Sequence, residues 1–300
     1  MPKPWCAEKL TSETPLPQAA ALILAVKLPE TLSYEAEARA GDVDGVHDMR
    51  VGSKRLREAL RVFRPVLPER YRGTLLPFAE ELNDALGLVR EHDVLIQQFE
   101  RIMARDPRAT PLARLVAQLK RERVRRHRQF LTALDELHGR GMVNTYEAAM
   151  RALAAAPAQG MTLLEFAASA INERLVPVLD NMEIVHFPVD GASFHRQRIR
   201  VKKLKYALEL FVGILPGETE IVYDHLGELQ ELMGEVHDVE VEGELLRAWE
   251  KTEGTSPGLS VAIDWLAQQG RELRYAAKQH AECLEAEGFE RRLREVLRVG

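Results

Sequence analysis

The sequence predicts an all-α fold: two four-helix bundles, the second half of the chain repeating the first. Composition is the first observation. Of the 300 residues, 46% are hydrophobic and 29% charged, with only 6% aromatic, a balance that favours helix and suffices to bury a core. The second is helical spacing. At roughly 100° per residue, His47, Arg50, Lys54, Arg57 and Arg61 share about a third of the circumference, while Val51, Leu56, Ala59, Leu60, Val62 and Phe63 fill most of the rest. The third is internal repetition, which is settled before any local feature. His47 to Phe63, HDMRVGSKRLREALRVF, returns without a gap as HRQRIRVKKLKYALELF from His195 to Phe211, a shift of 148 residues.

Residues 1–14, with Pro2 and Pro4 and no periodicity, read as a tail. One domain of two helical repeats then fills 15–290, the repeats covering about 15–155 and 158–290, with 291–300 as the C-terminal end. A first helix is expected from about Pro17 to Ala40, bent near Pro29. GDVDG at 41–45 breaks it, and Asp44 or a neighbour is placed to cap the next helix, leaving His47 in a first turn whose free amides favour an anion. That basic helix ends around Arg64–Pro68, and Leu67-Pro68 matches Leu215-Pro216.

A helix from about Tyr71 to Arg105 follows, containing LNDALGLVREHDV, Leu82 to Val94. Its counterpart is LQELMGEVHDVEV, Leu229 to Val241, now shifted by 147, which aligns Gly87 with Gly234, Arg90 with His237 and Glu91 with Asp238. Glycine inside a helix costs about 1 kcal/mol relative to alanine, so its recurrence implies close packing or a local kink. Beyond Asp106-Pro107 and Pro111, Leu112 to Leu137 reads as a helix with a basic middle, Lys120 to Arg128. The seam between halves is LAAAPAQGM, Leu153 to Met161. The second half then offers a helix from Thr162 to about Met182, the break HFPVDG, the basic helix from Ser193, a helix from Gly217 to Lys251, the break EGTSPG and a last helix from about Leu259 to Glu285. Four long helices per half with short breaks suit bundles.

The formal net charge of −5 does not describe a generally basic nucleic-acid binder, so an anion must be held locally, in a groove that concentrates cations on an acidic protein. The bland alternative is that neighbouring carboxylates pair with each stripe. Repetition in register weighs against it, because an exposed face does not need the same residue at the same turn. Cys6 and Cys283 lie near opposite ends without metal spacing, which fits a reducing compartment. No signal-like start and no membrane-length apolar run is visible, so the expected location is cytoplasmic. No cofactor is expected.

The paired motif, HxxRVxxKRLRxALxxF with HxxRIxxKKLKxALxxF, each followed by a glycine-centred block, resembles the CHAD domain, the conserved histidine α-helical domain. The resemblance spans about residues 15 to 290. It implies two bundles related by a pseudo-two-fold, basic helices lining a shared groove, and binding of inorganic polyphosphate, often at polyphosphate granules. Carried over where the motif matches, the polyphosphate-binding residues are His47, Arg50, Lys54, Arg55, Arg57 and Arg90, then His195, Arg198, Lys202, Lys203 and Lys205. Arg61 extends the first stripe, and its counterpart Glu209 does not, so the first wall is expected to reach further. Arg55 and Lys203 lie off the stripe, facing solvent or another wall. Further candidates are His237, Arg121, Arg125 and Arg128 on the basic middle helix, and Arg271, Arg274 and Lys278 on the last one.

Two rivals remain. His92-Asp93 and His237-Asp238 suggest a metal-dependent HD-type phosphohydrolase, but such a site needs further converging ligands, and the repeat sets His237-Asp238 against Arg90-Glu91 instead. No GxxxxGK[ST] loop is present. The expectation is therefore a binding protein, not an enzyme, with no bound metal. A scaffold for RNA or another polyanion is the other rival; base-stacking aromatics are scarce near the stripes, which argues against nucleic acid as the primary ligand, and no membrane partner is expected.

Overall fold

The computed structural model describes residues 3–7, 10–11, 13–158, 160–186, 190–215 and 219–297, and all its regular elements are helical, with no strand among the described residues. Pro2, the Phe187–Val189 part of the HFPVDG break, Pro216, the Gly217 helix start and the last three residues of the C-terminal end lie outside them. The helices are α1 (Leu16–Ala25), α2 (Lys27–Leu32), α3 (Glu35–Ala40), α4 (Val43–Val62), α5 (Glu69–Arg105), α6 (Leu112–Gly139), α7 (Met142–Ala154), α8 (Leu163–Leu179), α9 (Glu183–His186), α10 (Gly191–Phe211), α11 (Thr219–Glu253), α12 (Pro257–Ala286) and α13 (Phe289–Leu297). No described helix is long and apolar enough to cross a membrane.

Two expectations need correction. The single helix from Pro17 to Ala40 is three, because proline clashes with the carbonyl four residues before it, and α1 stops at Ala25, four residues before Pro29. Helices beyond the four expected are also present in each half, α7 in the first and the short α9 and α13 in the second. Gly141, at φ +76°, turns the chain into α7, whose Tyr146 hydroxyl donates to the Leu24 carbonyl of α1 at 2.5 Å.

The basic helices start alike. Gly41 closes α3 in the left-handed region at φ +80°, and the Asp42 carboxylate accepts from the Gly45 amide at 2.8 Å. In α10 the Asp190 carboxylate accepts from the Ser193 amide at 2.5 Å. Asp42 and Asp190 stand at the same 148-residue shift, so the repeat reaches back to its caps. Asp42 rather than Asp44 is the cap, which puts His47 in the second turn, past the free amides of the first.

Packing brings the repeats together at two places. Near the C-terminal ends of α4 and α10, the equivalent Phe63 and Phe211 meet edge to face at 5.8 Å, and Phe166 of α8 stacks on Phe63 at 5.4 Å. They belong to one apolar core drawn from both halves. A second, smaller core lies at the far ends of the long hairpins: Ile96, Phe99 and Ile102 of α5 and Leu112, Leu115 and Val116 of α6 pack with Val239 and Leu246 of α11 and Leu259, Ala262 and Leu266 of α12.

At that far contact α12 approaches the α5–α6 connection so closely that a Cβ on Gly258 would lie 1.9 Å from the Arg108 carbonyl oxygen and 2.8 Å from Pro111. Backbone cannot yield as a flexible side chain can. Gly258→Ala is expected to destabilise the protein by about 1–3 kcal/mol in urea unfolding, whereas Gly139→Ala, with open space around it, should be neutral or better.

Candidate functional site

Between the two cores the apolar pattern of the long helices breaks, and charged groups fill the gap. On α5 the first core ends at Val89 and the second begins at Ile96, with Arg90 between; on α11 His237 and Asp238 sit between Val236 and Val239. From the shared side come Arg50, Lys54 and Arg57 of α4 and Arg198 and Lys202 of α10, two helices in direct contact. The repeated stripes therefore converge. Burial lowers Lys54 well below the ordinary lysine range, and Arg50, Lys202, Arg198 and Arg57 lower it further. Lys202 falls to about 8, again through burial first and then Arg198 and Arg57. Both side chains keep partial contact with solvent, so the crowded cations stay open to a ligand.

The cations lack the partners that a structural stripe would have. Among the described residues, none of Arg50, Lys54, Arg90, Arg198 and Lys202 forms an ion pair, whereas Arg57 pairs with Glu58 at 3.2 Å. The Nε atoms of Arg50 and Arg198, equivalent in the repeat, are both buried without a hydrogen-bond partner, although an unpaired buried donor is costly. Burial lowers both guanidinium groups from their ordinary value; Asp238 opposes the shift in each, and Glu91 does so for Arg50. Asp238 is itself raised by burial, against the pull of Arg198, Lys54, Arg50 and Arg90. One turn on, burial and then Asp238 raise Glu242 to about 8, so it keeps its proton at neutral pH and adds no charge.

The histidines edge this cluster. His47 falls to about 4 through burial, Arg90 and Lys54. His195 is lowered by burial, Arg198 and Lys202, and His237 falls to about 4 by burial, Arg198 and His195. The last two rings lie 4.6 Å apart with their Nδ1 atoms at 3.4 Å. Both cannot be charged without a nearby anion.

The glycines of the repeated block do different things. At Gly87 a Cβ would meet the Arg50 guanidinium at 3.4 Å, so the missing side chain is the seat of that arginine; near Gly234 only Gln230 comes within 4 Å. The helices continue through both, so close packing applies at Gly87 and a helix break at neither.

Several candidates are placed elsewhere. Arg55 is 4% exposed and pairs with Glu209 and Glu30 across α10 and α2; it ties the halves together and does not line the groove. Its counterpart Lys203 is exposed to solvent. Lys205, equivalent to Arg57, is buried against α11, where its Nζ lies 3.4 Å from Gln230 Oε1 and over the Tyr223 ring. Arg61 pairs with Glu58 and Glu80 at 2.8 and 2.7 Å, which cancels the longer reach expected of the first wall. On α6 the basic middle is drawn into pairs, Lys120 with Glu100, Arg123 with Asp93, and Arg125 and Arg126 with Glu122. Arg128 is exposed, and Arg121, Arg125 and His92 edge a shallow hollow of their own. On α12, Arg274 pairs with Glu240, Lys278 with Glu282, and Arg271 bonds Gln268.

The HD dipeptides do not share a centre. His92 contacts its own helix at the Leu88 carbonyl, while buried Asp93 accepts from Arg123. His237 packs against His195 with the rings tilted by 52°.

The sequence matches the family model of the CHAD domain over residues 23–247. Among solved structures, the chain is similar to the CHAD domain from the plant Ricinus communis, at 24% identity and a TM-score of 0.73, over 93% of this chain and 96% of that one. It is also similar to PptA from Streptomyces chartreusis, at 17% identity and a TM-score of 0.60, over 90% of this chain and 98% of that one. No curated protein matches it.

Proposed function

Since this chain belongs to the CHAD-domain family, we propose that it binds inorganic polyphosphate, without catalysis, in the groove between α4 and α10. The observation that carries the reading is that Arg50, Lys54, Arg90, Arg198 and Lys202 form no ion pair among the described residues, the twin arginines among them with orphaned Nε donors. Phosphate oxygens satisfy such donors: arginine binds them in a planar fork and lysine as a compact charge. A chain carrying a negative charge at every unit suits a row of cations better than a single small anion does. The two halves are read as copies of one bundle related by a pseudo-two-fold, supported by the matched caps and the paired phenylalanines. Residence in the cytoplasm, with attachment to polyphosphate granules, follows from the ligand. Groove arginines and lysines are the binding residues, and His47, His195 and His237 adjust the charge.

The test is a calorimetric titration of the full chain with long-chain polyphosphate at low salt, with RNA of equal charge concentration as competitor and phosphate release monitored. Saturable binding that RNA does not displace, without turnover, is expected. Displacement by RNA, or turnover abolished by His92→Ala, would overturn the reading.

The same titration has a predicted pH dependence. In the free protein His47 and His237 titrate at about 4 and Lys202 at about 8. A bound polyanion favours the protonated form of each, so binding takes up protons wherever the pH exceeds the free-state value. Affinity should therefore fall as pH rises above about 8, where Lys202 must be recharged, and should climb as pH is lowered towards about 4, where the histidines gain charge. An affinity that increases with pH contradicts the assignment.

A further inference from the structure

Away from the groove, at the other end of the α11–α12 hairpin, a second constellation has no role in anion binding. His225 and Glu228 stand one turn apart on α11, on one face, and His280 of α12 lies against them. One donor atom from each lies within 4.8 Å of the others. His280 Nδ1 is 3.5 Å from Glu228 Oε2, close to the roughly 3.4 Å that separates two ligands of a tetrahedral ion bound at about 2.1 Å. The other ring nitrogen is already engaged: His280 Nε2 lies 2.9 Å from the His225 backbone carbonyl. A carbonyl can only accept, so Nε2 donates to it, which leaves Nδ1 facing Glu228. Metal-binding imidazoles are commonly held in this way, by a hydrogen bond from the nitrogen that does not bind. Glu287 adds a carboxylate 3.6 Å from His225 Nε2.

We propose that His225, Glu228 and His280 bind one divalent transition ion of the zinc class, clamping the start of α11 to the end of α12. Two imidazoles and a carboxylate suit zinc, cobalt or nickel over magnesium or calcium, which take oxygen ligands. The site lies about 18 Å along α11 from His237, counting 1.5 Å per residue, so it is separate from the groove. Sequence spacing does not reveal it, because His280 lies more than fifty positions from His225 and Glu228, on the other arm of the hairpin.

The test uses metal-stripped full-length protein without polyphosphate, so that its result is independent of the anion-binding reading. Titration with Co²⁺ should give one equivalent bound, with the intense d–d absorption of a four-coordinate ion, and Zn²⁺ should displace it where Mg²⁺ at the same concentration does not. Zn²⁺ should also raise Tm in a concentration-dependent way. Glu228→Gln, at an exposed position and so safe for folding, and His280→Ala should each weaken Co²⁺ binding at least tenfold and abolish the Zn²⁺-dependent Tm shift. Absence of saturable Co²⁺ binding by the wild type would overturn the proposal, because the histidines would then serve only as ion-pair partners of Glu228 and Glu287. Saturable binding untouched by both variants would overturn it equally, by placing the ion elsewhere.

Discussion

Arg55→Met should lower folding stability by about 3–5 kcal/mol while leaving polyphosphate affinity unchanged in the population that remains folded. Arg55 Nε and Nη2 bond the two Glu209 oxygens at 2.7 and 3.3 Å, and Nη1 bonds Glu30 at 3.0 Å. The network runs on through Lys27, which pairs with Glu30 at 3.3 Å and donates to the Trp5 carbonyl, and through the Tyr223 hydroxyl, which donates to Glu209 at 2.8 Å. A methionine fills similar space but leaves two buried carboxylates short of their cation. Breaking a buried pair from one side is costly because of the charge left behind. Urea unfolding measures the loss, and binding assayed well below the transition separates the roles. A loss under about 1 kcal/mol together with lost binding would return Arg55 to the groove.

The second large effect runs in the opposite sense. Arg50→Gln/Arg198→Gln should weaken polyphosphate binding about a hundredfold or more, at roughly 1.5–3 kcal/mol for each charge-assisted contact, without lowering Tm. Both arginines carry a buried, unsatisfied Nε and both lower Lys54 and Lys202; removing them relieves the lysines and the orphaned donors, which offsets the lost attraction to Asp238 and, for Arg50, to Glu91. A residue kept for structure would show the reverse, a lower Tm with binding intact. Differential scanning calorimetry beside the titration reads both quantities on one sample.

Much of this was legible in the sequence, because the repeat carries its own control. A stripe seen once is a solvated helix face; the same stripe at a constant shift led to α4 and α10 in contact, with Arg50, Lys54, Arg198 and Lys202 converging. The Asp42 and Asp190 caps obey the same shift and could have been read with it. What was not legible depends on partners distant in the chain. Arg55 and Lys203 match in the alignment, yet one is buried in ion pairs and the other faces water, because Glu209 stands where the first copy has Arg61 and offers Arg55 a carboxylate from the opposite half. Lys205 follows Arg57 in type but is drawn towards Glu231 and Glu209. Helix α7 buries Met142, Tyr146, Ala149, Met150 and Leu153, but its 13 residues run straight into the Leu153–Met161 break and are too few to stand out as a fifth helix. The lowered lysine and histidine values are a property of crowding, which sequence alone does not express.

Unpaired cations that meet a phosphate polymer directly make the association constant for long-chain polyphosphate depend steeply on salt. Each cation that replaces condensed counterions contributes roughly 0.7 to the slope of log K against log salt for a flexible single strand. Arg50, Lys54, Arg90, Arg198 and Lys202 acting together therefore predict a slope on the order of −3.5, made shallower by about 1 to 1.5 in the Arg50→Gln/Arg198→Gln protein. A slope near zero, or no saturable binding by the wild type even at low salt, would contradict that direct contact.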